Sequence, residues 1–294
     1  MEIRKIQRSG SMHYLYLPTA WCKKHRITAD STVTLEQDAS GRMTISAQAS
    51  SKKAKEIELK IKEDDPRIIQ KVIMACYINP AKAFRIDLEK DLDMMKLLQQ
   101  KKLIQMEMIE MEDKSIRCDS NIMVENPEAL LRTMVHKTRN LLQLMATSYD
   151  QDLVNRYEDE IDKAKTLIDK AIIGTFTFSR MTNLSTIDLH YLSMVSRNLE
   201  RLVDHLIRID PKETAFFRNV MRVIDLLRDM VDTVAQHKGV SIEEALGFIR
   251  ASLKLPKPEI SNLKGYDMAR IRRSCIEISE VFIDWAVTRQ VEKA

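Results

Sequence analysis

The sequence predicts a multidomain α+β protein with three parts: a β-rich domain over 1–48, a small α+β connector domain over 55–120, and an all-α bundle over 127–294. Short apolar runs separated by glycine-containing turns fill the first part, as is typical of hairpins. Apolar and polar residues alternate in parts of the second. From Pro127 onward apolar residues recur with the period of about 3.6 that indicates helices.

The composition favours long helices and no direct membrane insertion. The chain has 294 residues, of which 44% are hydrophobic and 31% charged, and it contains 17 methionines and only six glycines. Methionine forms helices well and fills irregular gaps between them. No uncharged run approaches the roughly 20 residues that a bilayer span requires. The four cysteines are far apart and form no CxxC pair, which predicts reduced thiols and a cytoplasmic location.

The segment 3–48 predicts two hairpins around a short helix. The turns lie at 9–11 and 40–41, and each contains a glycine. Between the hairpins we expect a helix over about 20–26, with Thr19 as its N-cap. So few apolar residues make a thin core, and we therefore expect a second copy of the chain to complete it in a homodimer.

The charge distribution predicts a polyanion-binding face at the N-terminus. The formal net charge of the chain is only +4, yet residues 1–26 contain a single acid, Glu2, among six basic residues. A dimer would double this charge, and lysine and arginine side chains neutralise DNA phosphates. The alternative is a basic, solvated face on a dimerisation module. The candidate DNA-binding residues are Arg4, Lys5, Arg8, Lys23, Lys24 and Arg26.

The connector follows a polar linker at 49–53 and begins with an alternating strand over 57–61. Its remaining elements are expected to be a helix over 66–78, a strand over 83–87, a helix over 88–99 and a closing hairpin of 105–112 with 114–118.

The bundle is expected to contain six helices, which form an antiparallel arrangement because short turns join them. The expected ranges are 127–147, 151–173, 184–209, 213–238, 241–253 and 266–291. The pattern also predicts that the first three helices form a unit that is repeated once.

Acid pairs recur at matching places in the two halves. Residues four apart share one helix face, so such a pair presents two carboxylates together. Glu158 and Asp162 in the second helix are matched with Glu243 and Gly247 in the fifth. The third and sixth helices carry the corresponding pairs Glu200/Asp204 and Glu280/Asp284.

Two runs resemble the PhoU family of phosphate-uptake regulators, which are built from two three-helix repeats with an acid-x-x-x-Asp pattern on the second and third helices. The runs are Tyr157-Glu158-Asp159-Glu160-Ile161-Asp162 and Arg197-Asn198-Leu199-Glu200-Arg201-Leu202-Val203-Asp204-His205. The resemblance implies a metal ion, iron or a divalent cation, in the first repeat. Gly247 stands where the family has an acid, so the second repeat is expected to bind metal more weakly. The implied ligands are Glu158, Asp162, Glu200 and Asp204, with Glu280 and Asp284 at the weaker site.

The N-terminal run Arg4-Lys5-Ile6-Gln7-Arg8-Ser9-Gly10-Ser11, followed by Leu17-Pro18-Thr19-Ala20-Trp21, is similar to the AbrB/SpoVT swapped-hairpin domain. The chain departs from that pattern at Ala29-Asp30, where Gly-Asp is usual. This domain joined to a PhoU-like bundle is an arrangement associated with archaeal chains. The resemblance implies a swapped-hairpin dimer at the N-terminus.

Together the two resemblances imply a non-enzymatic regulator of phosphate uptake and phosphate homeostasis that acts through a phosphate transporter or a signalling protein, with DNA as a further partner. Two alternatives stay open: a DNA-binding transcription factor whose bundle senses a ligand or metal, and a carboxylate-metal bundle enzyme. The sequence contains no glycine-rich phosphate loop or nucleophile elbow, so we predict no catalytic or cofactor-binding residue. His205 is a further candidate ligand, although a lone helical histidine more often lies at a surface or interface.

Overall fold

The computed structural model describes residues 3–37, 41, 43–47, 56–98, 109–112, 114–119, 126–178, 184–236 and 238–293. The chain divides into two compact units, Met1–Lys53 and Ala54–Ala294. The fold is mixed α+β and mainly helical, as predicted, with small sheets and a helical C-terminal region. Among the described residues, no helix combines the length and the apolar character needed to cross a membrane. The predicted linker at 49–53 lies outside the described residues.

The first unit contains two antiparallel hairpins and one short helix. Gly10 and Gly41 adopt positive φ values of 62° and 80°, which glycine tolerates without steric cost, and each stands between the two strands of a hairpin. The elements are β1 (Gln7–Ser9), β2 (Met12–Tyr14), α1 (Thr19–His25), β3 (Thr34–Gln37) and β4 (Met43–Ser46), with β1 paired to β2 and β3 to β4.

The prediction that Thr19 caps α1 is wrong. The N-cap residue is Pro18, whose backbone is extended and which makes no side-chain capping bond. The fixed φ of proline suits this last extended position, so the helix begins one residue earlier than expected. It ends at Arg26, which adopts a left-handed conformation with φ 54°.

The described part of the first unit contains no buried side chain in a single copy. Each described residue of this unit is exposed or half-buried. The exposed large apolar side chains are Ile3, Ile6, Met12, Tyr14, Leu15, Tyr16, Leu35 and Met43.

The connector contains four strands and two helices: β5 (Ile57–Ile61), α2 (Pro66–Ile78), β6 (Ala83–Leu88), α3 (Met94–Leu98), β7 (Ile109–Glu112) and β8 (Ser115–Asp119). The strands form one sheet in the order β5-β6-β8-β7. β5 and β6 are parallel and joined through α2, whereas β8 pairs antiparallel with β6 and β7. α2 begins at Pro66 because the Asp65 side chain accepts a hydrogen bond from the Arg67 backbone N–H.

The predicted helix over 88–99 is wrong at its start. Leu88 is the last residue of β6, and α3 begins only at Met94. The Leu88 N–H donates to the Lys114 carbonyl at 2.8 Å, and the Glu89 N–H donates to the Ile61 carbonyl at 2.9 Å. These bonds between distant segments extend the sheet, and local sequence does not reveal them. The 105–108 part of the predicted hairpin lies outside the described residues.

The six predicted helices of the bundle are confirmed, with small changes at their ends. The helices are α4 (Pro127–Thr147), α5 (Gln151–Phe178), α6 (Thr186–Leu206), α7 (Thr214–Ala235), α8 (Ile242–Leu253) and α9 (Leu263–Lys293). α5 thus continues past 173, and α9 begins before 266.

The two halves of the bundle pack on each other through equivalent helices. The first helices, α4 and α7, contact each other, and so do the third helices, α6 and α9. The second helices flank them, since α5 packs on α4 and α6 while α8 packs on α7 and α9. The connector is attached to the first half, where the Lys170 ammonium of α5 donates to the Tyr77 carbonyl at 3.0 Å and lies over the Tyr77 ring.

Candidate metal centre

Three of the predicted metal ligands converge between α5 and α6. One carboxylate oxygen from each of Asp162, Glu200 and Asp204 lies within 4.8 Å of the others, and all three residues are half-buried. Glu200 and Asp204 are one helical turn apart on α6 and therefore present their carboxylates together. Asp162 comes from α5, next to the buried Ile161. The site thus depends on the packing of two helices whose apolar faces fix their spacing.

The fourth predicted ligand, Glu158, does not belong to this group of three. It lies one turn before Asp162 on the same face of α5. Glu158, Asp162 and Glu200 each also make a hydrogen bond, an ion pair or another electrostatic interaction. The structure therefore supplies three converging carboxylates, and the role of Glu158 stays a prediction.

The donor set fits a hard cation. Three carboxylates held this close repel one another, and a positive ion between them removes that repulsion. Magnesium and calcium take oxygen ligands at about 2.0–2.6 Å, and carboxylate bundles also hold iron. Asp162, Glu200 and Asp204 are the residues that would hold such an ion.

Ion pairs near the three carboxylates connect α5 to α4 and also join residues within α5. Lys137 of α4 lies 2.7 Å from Glu160, and its hydrogen bond lowers the pKa of the Glu160 carboxyl below the usual range. Lys165 pairs with Asp169 at 2.6 Å, about one turn beyond Asp162. These two charged residues of α5 therefore neutralise each other.

His205 does not point to the three carboxylates. Its Nδ1 is 2.7 Å from the Asp267 carboxylate, and its ring lies edge-on to Tyr266 of α9. The histidine is therefore an interface residue between α6 and α9, as the alternative reading expected.

Asp267 is buried, and a second buried aspartate, Asp188, joins α6 and α9 at their other end. The sequence analysis predicted a role for neither. Asp188 accepts a hydrogen bond from the Trp285 Nε1–H at 2.6 Å and pairs with Arg289 at 2.5 Å. It also forms a capping box with Ser185 at the start of α6. The only sequence signal for Asp188 and Asp267 is an acid within an apolar helix face. Their partners lie on distant segments.

The acids of the second half form no comparable group within the described part of the chain. Glu243, Glu280 and Asp284 are all exposed. The expectation of weaker metal binding in the second half stays a prediction.

The burial pattern corrects the predicted match between the second helices. The core face of α5 contains Ile161, Ala164, Ile168 and Ala171. The same spacing of buried residues recurs at Ala245, Phe248 and Ser252 of α8 and at Leu255, two residues beyond the end of that helix. Aligned on these core positions, Glu158 and Asp162 correspond to Ile242 and Leu246. They do not correspond to Glu243 and Gly247, because those residues lie one position further around the helix. The second half therefore lacks both acids of its second helix.

All six predicted DNA-binding residues are exposed in the first unit. Arg8 belongs to β1 and donates to the Gly10 carbonyl at 2.9 Å, while Lys23 and Lys24 lie in the last turn of α1. Arg4, Lys5 and Arg26 are likewise exposed. The unit thus carries its basic groups where a polyanion can reach them.

Comparisons of the chain with known protein families, with curated proteins and with solved structures find no match.

Proposed function

We propose that the protein is a non-enzymatic cytoplasmic regulator of phosphate uptake and phosphate homeostasis, which acts by binding a phosphate transporter or a signalling protein. The observation that carries this proposal is the convergence of Asp162, Glu200 and Asp204. The resemblance to PhoU proteins selects these acids from two separate runs of sequence, and they meet between two helices of the bundle.

A bound iron or divalent cation would join α5 to α6 through Asp162, Glu200 and Asp204, with Glu158 as a fourth candidate ligand. Such a cross-link would hold the surface of the first repeat in one arrangement for a partner. The described residues bring no histidine into the group of three, so carboxylates alone would supply the protein ligands and a binding role is preferred to catalysis.

Phosphate uptake in cells tests this proposal. At plentiful phosphate, cells that lack the protein should take up labelled phosphate faster than cells that produce it. The variant Asp162→Asn/Asp204→Asn should behave like the deletion, whereas Asp284→Asn, an exposed acid in the second half, should behave like the natural protein. Equal uptake in all four strains would reject the regulatory function.

The exposed basic groups of the first unit support DNA binding as a second function. If about six phosphates are neutralised per dimer, log K should fall with log salt at a slope of about −5. Replacing Arg4, Lys5 and Arg8 by alanine should abolish binding to duplex DNA without loss of helical circular dichroism. Binding that persists in this variant, or that ignores salt, would identify the basic residues as a solvated face.

A further inference from the structure

Two histidines lie among the basic residues of the first unit, and the first of them is next to Arg8. His13 of β2 is directly opposite Arg8 of β1 in the register of the hairpin. Both residues are exposed. Directly opposite residues of an antiparallel pair have their Cβ atoms about 5 Å apart. An imidazole therefore lies beside a guanidinium that is predicted to contact a DNA phosphate.

The second histidine is His25, the last residue of α1. It follows Lys23 and Lys24 in the final turn of the helix, and Arg26 comes directly after it. His25 is exposed, and its ring packs against Trp21 with the two ring centroids 5.1 Å apart. This imidazole thus has predicted DNA-binding residues on both sides of it in the chain.

The surroundings of both histidines are positively charged. No aspartate or glutamate occurs between residues 3 and 29, so β1, β2 and α1 offer no carboxylate to either imidazole. The acids among the described residues of the first unit are Asp30 and Glu36, which lie outside these three elements. A proton on either imidazole adds a positive charge beside other positive charges, and like charges repel. A phosphate bound between them removes that repulsion.

We propose that His13 and His25 are further phosphate-binding residues of the first unit, and that both contact DNA in their protonated form. DNA binding is then coupled to proton uptake, and it becomes tighter as the pH falls from 8 to 6, within the range in which histidine gains its charge. This inference rests on the DNA-binding part of the proposed function. It adds two cations per chain to the six that the sequence predicted.

A metal ion suits these histidines less well than an anion does, although histidine is a frequent metal ligand. Among the residues that the structure describes, neither His13 nor His25 belongs to a group of three metal-binding side chains. The Arg8 guanidinium opposite His13 would also repel a cation. A polyanion is therefore the ligand whose charge complements both positions.

Fluorescence anisotropy of the full-length protein with a labelled DNA duplex tests the proposal at constant salt concentration. The natural protein should bind about tenfold more tightly at pH 6 than at pH 8, because charged imidazoles neutralise further phosphates. If about half of the four histidines of a dimer meet a phosphate, log K should fall with log salt more steeply at pH 6, by about 1.8 in slope. Far-UV circular dichroism at both pH values checks that the fold is unchanged.

Variants then assign the effect to the two histidines. His13→Gln/His25→Gln cannot gain the charge and should lose most of the difference between pH 6 and pH 8, and each single replacement should lose part of it. His13→Lys/His25→Lys carries the charge at both pH values and should bind tightly at both. His190→Gln is the matched control, because His190 is an exposed histidine of the bundle, and it should keep the natural pH dependence.

Any other group that titrates over this range is still present in His13→Gln/His25→Gln. An equal pH effect in this variant and in the natural protein would therefore overturn the proposal, and so would an unchanged affinity of the natural protein between pH 8 and pH 6. Both results would leave the DNA-binding function standing. No binding to duplex DNA at either pH would reject that function and this inference with it, whereas the uptake assay would be unaffected.

Discussion

Asp188 and Asp267 are buried carboxylates that join the third helices of the two halves. Each lies near the start of its helix. Asp188 of α6 contacts Trp285, which follows Asp284 on α9, and Asp267 of α9 contacts His205, which follows Asp204 on α6. A buried carboxylate is costly unless it is paired and hydrogen-bonded. These contacts therefore set how α6 and α9 align, and through α6 they position Glu200 and Asp204.

Arg289→Ala should lower the free energy of unfolding by about 2 kcal/mol, because it removes the cation that pairs with the fully buried Asp188. Urea denaturation measures this change. Arg273→Ala is the matched control on the same helix, since Arg273 pairs with Glu277 at the surface, and it should have little effect. Equal losses in the two variants would contradict a special role for the Asp188 pair.

The four thiols should differ in reactivity. Burial raises the pKa of Cys76, of Cys118 to about 11 and of Cys275 to about 12. The thiolate is the form that iodoacetamide attacks, so the half-buried Cys22 should react first in the folded protein at pH 8. Mass spectrometry of timed samples checks the order, and protein in urea, where all four should react, is the control.

The three buried thiols, Cys76, Cys118 and Cys275, give the free energy of unfolding a defined pH dependence. An unfolded thiol loses its proton near pH 8.5, whereas these three buried thiols keep their protons to higher pH in the folded protein. Their contribution is therefore complete below about pH 8.5 and decreases as the pH rises toward about 12. Rapid alkylation of Cys275 in the native protein would contradict its burial. A free energy of unfolding that increases over this pH range would contradict the predicted effect of the buried thiols.

At the scale of elements, the sequence predicted what local periodicity controls. The bounds of α4 agree because a long amphipathic pattern begins at Pro127, and the i, i+4 rule was enough to pair Glu200 with Asp204. The start of α3 was wrong because Leu88 is held by hydrogen bonds to a distant segment. The match of Glu243 with Glu158 failed because it aligned acids, whereas the packed core determines the register of a helix.

The α5–α6 pair gives a prediction about metal content. Protein purified without chelator should contain about one equivalent of iron or a divalent cation, since three carboxylates supply the oxygen ligands such ions prefer. Asp162→Asn and Asp204→Asn should each lose it, and Asp284→Asn should keep it. Elemental analysis measures the content.

If the natural protein contains no metal ion and binds none on titration, then Asp162, Glu200 and Asp204 serve only as charged side chains. Equal metal loss from Asp162→Asn, Asp204→Asn and Asp284→Asn would place the ion elsewhere.

At the scale of the whole molecule, the two units differ in how they are stabilised. The second unit has a large bundle core and a separate core in the connector, where Phe84, Ile86 and Ile116 pack under α2. The described part of the first unit has no buried side chain. A unit of this size seldom folds on so little apolar burial.

We therefore expect a homodimer held by the first unit. Sedimentation equilibrium of the full chain should give the mass of two copies, and a chain that begins at Ala54 should give the mass of one while keeping its helical circular dichroism. Leu35→Asp in the full chain should also favour the monomer, because burying a charge in place of an apolar side chain opposes association. Leu226→Asp on α7 is the control at a similarly exposed leucine of the second unit. A dimer that survives removal of the first unit would place the interface on the bundle or connector, and a monomeric full chain would mean that the first unit is stabilised by some other partner.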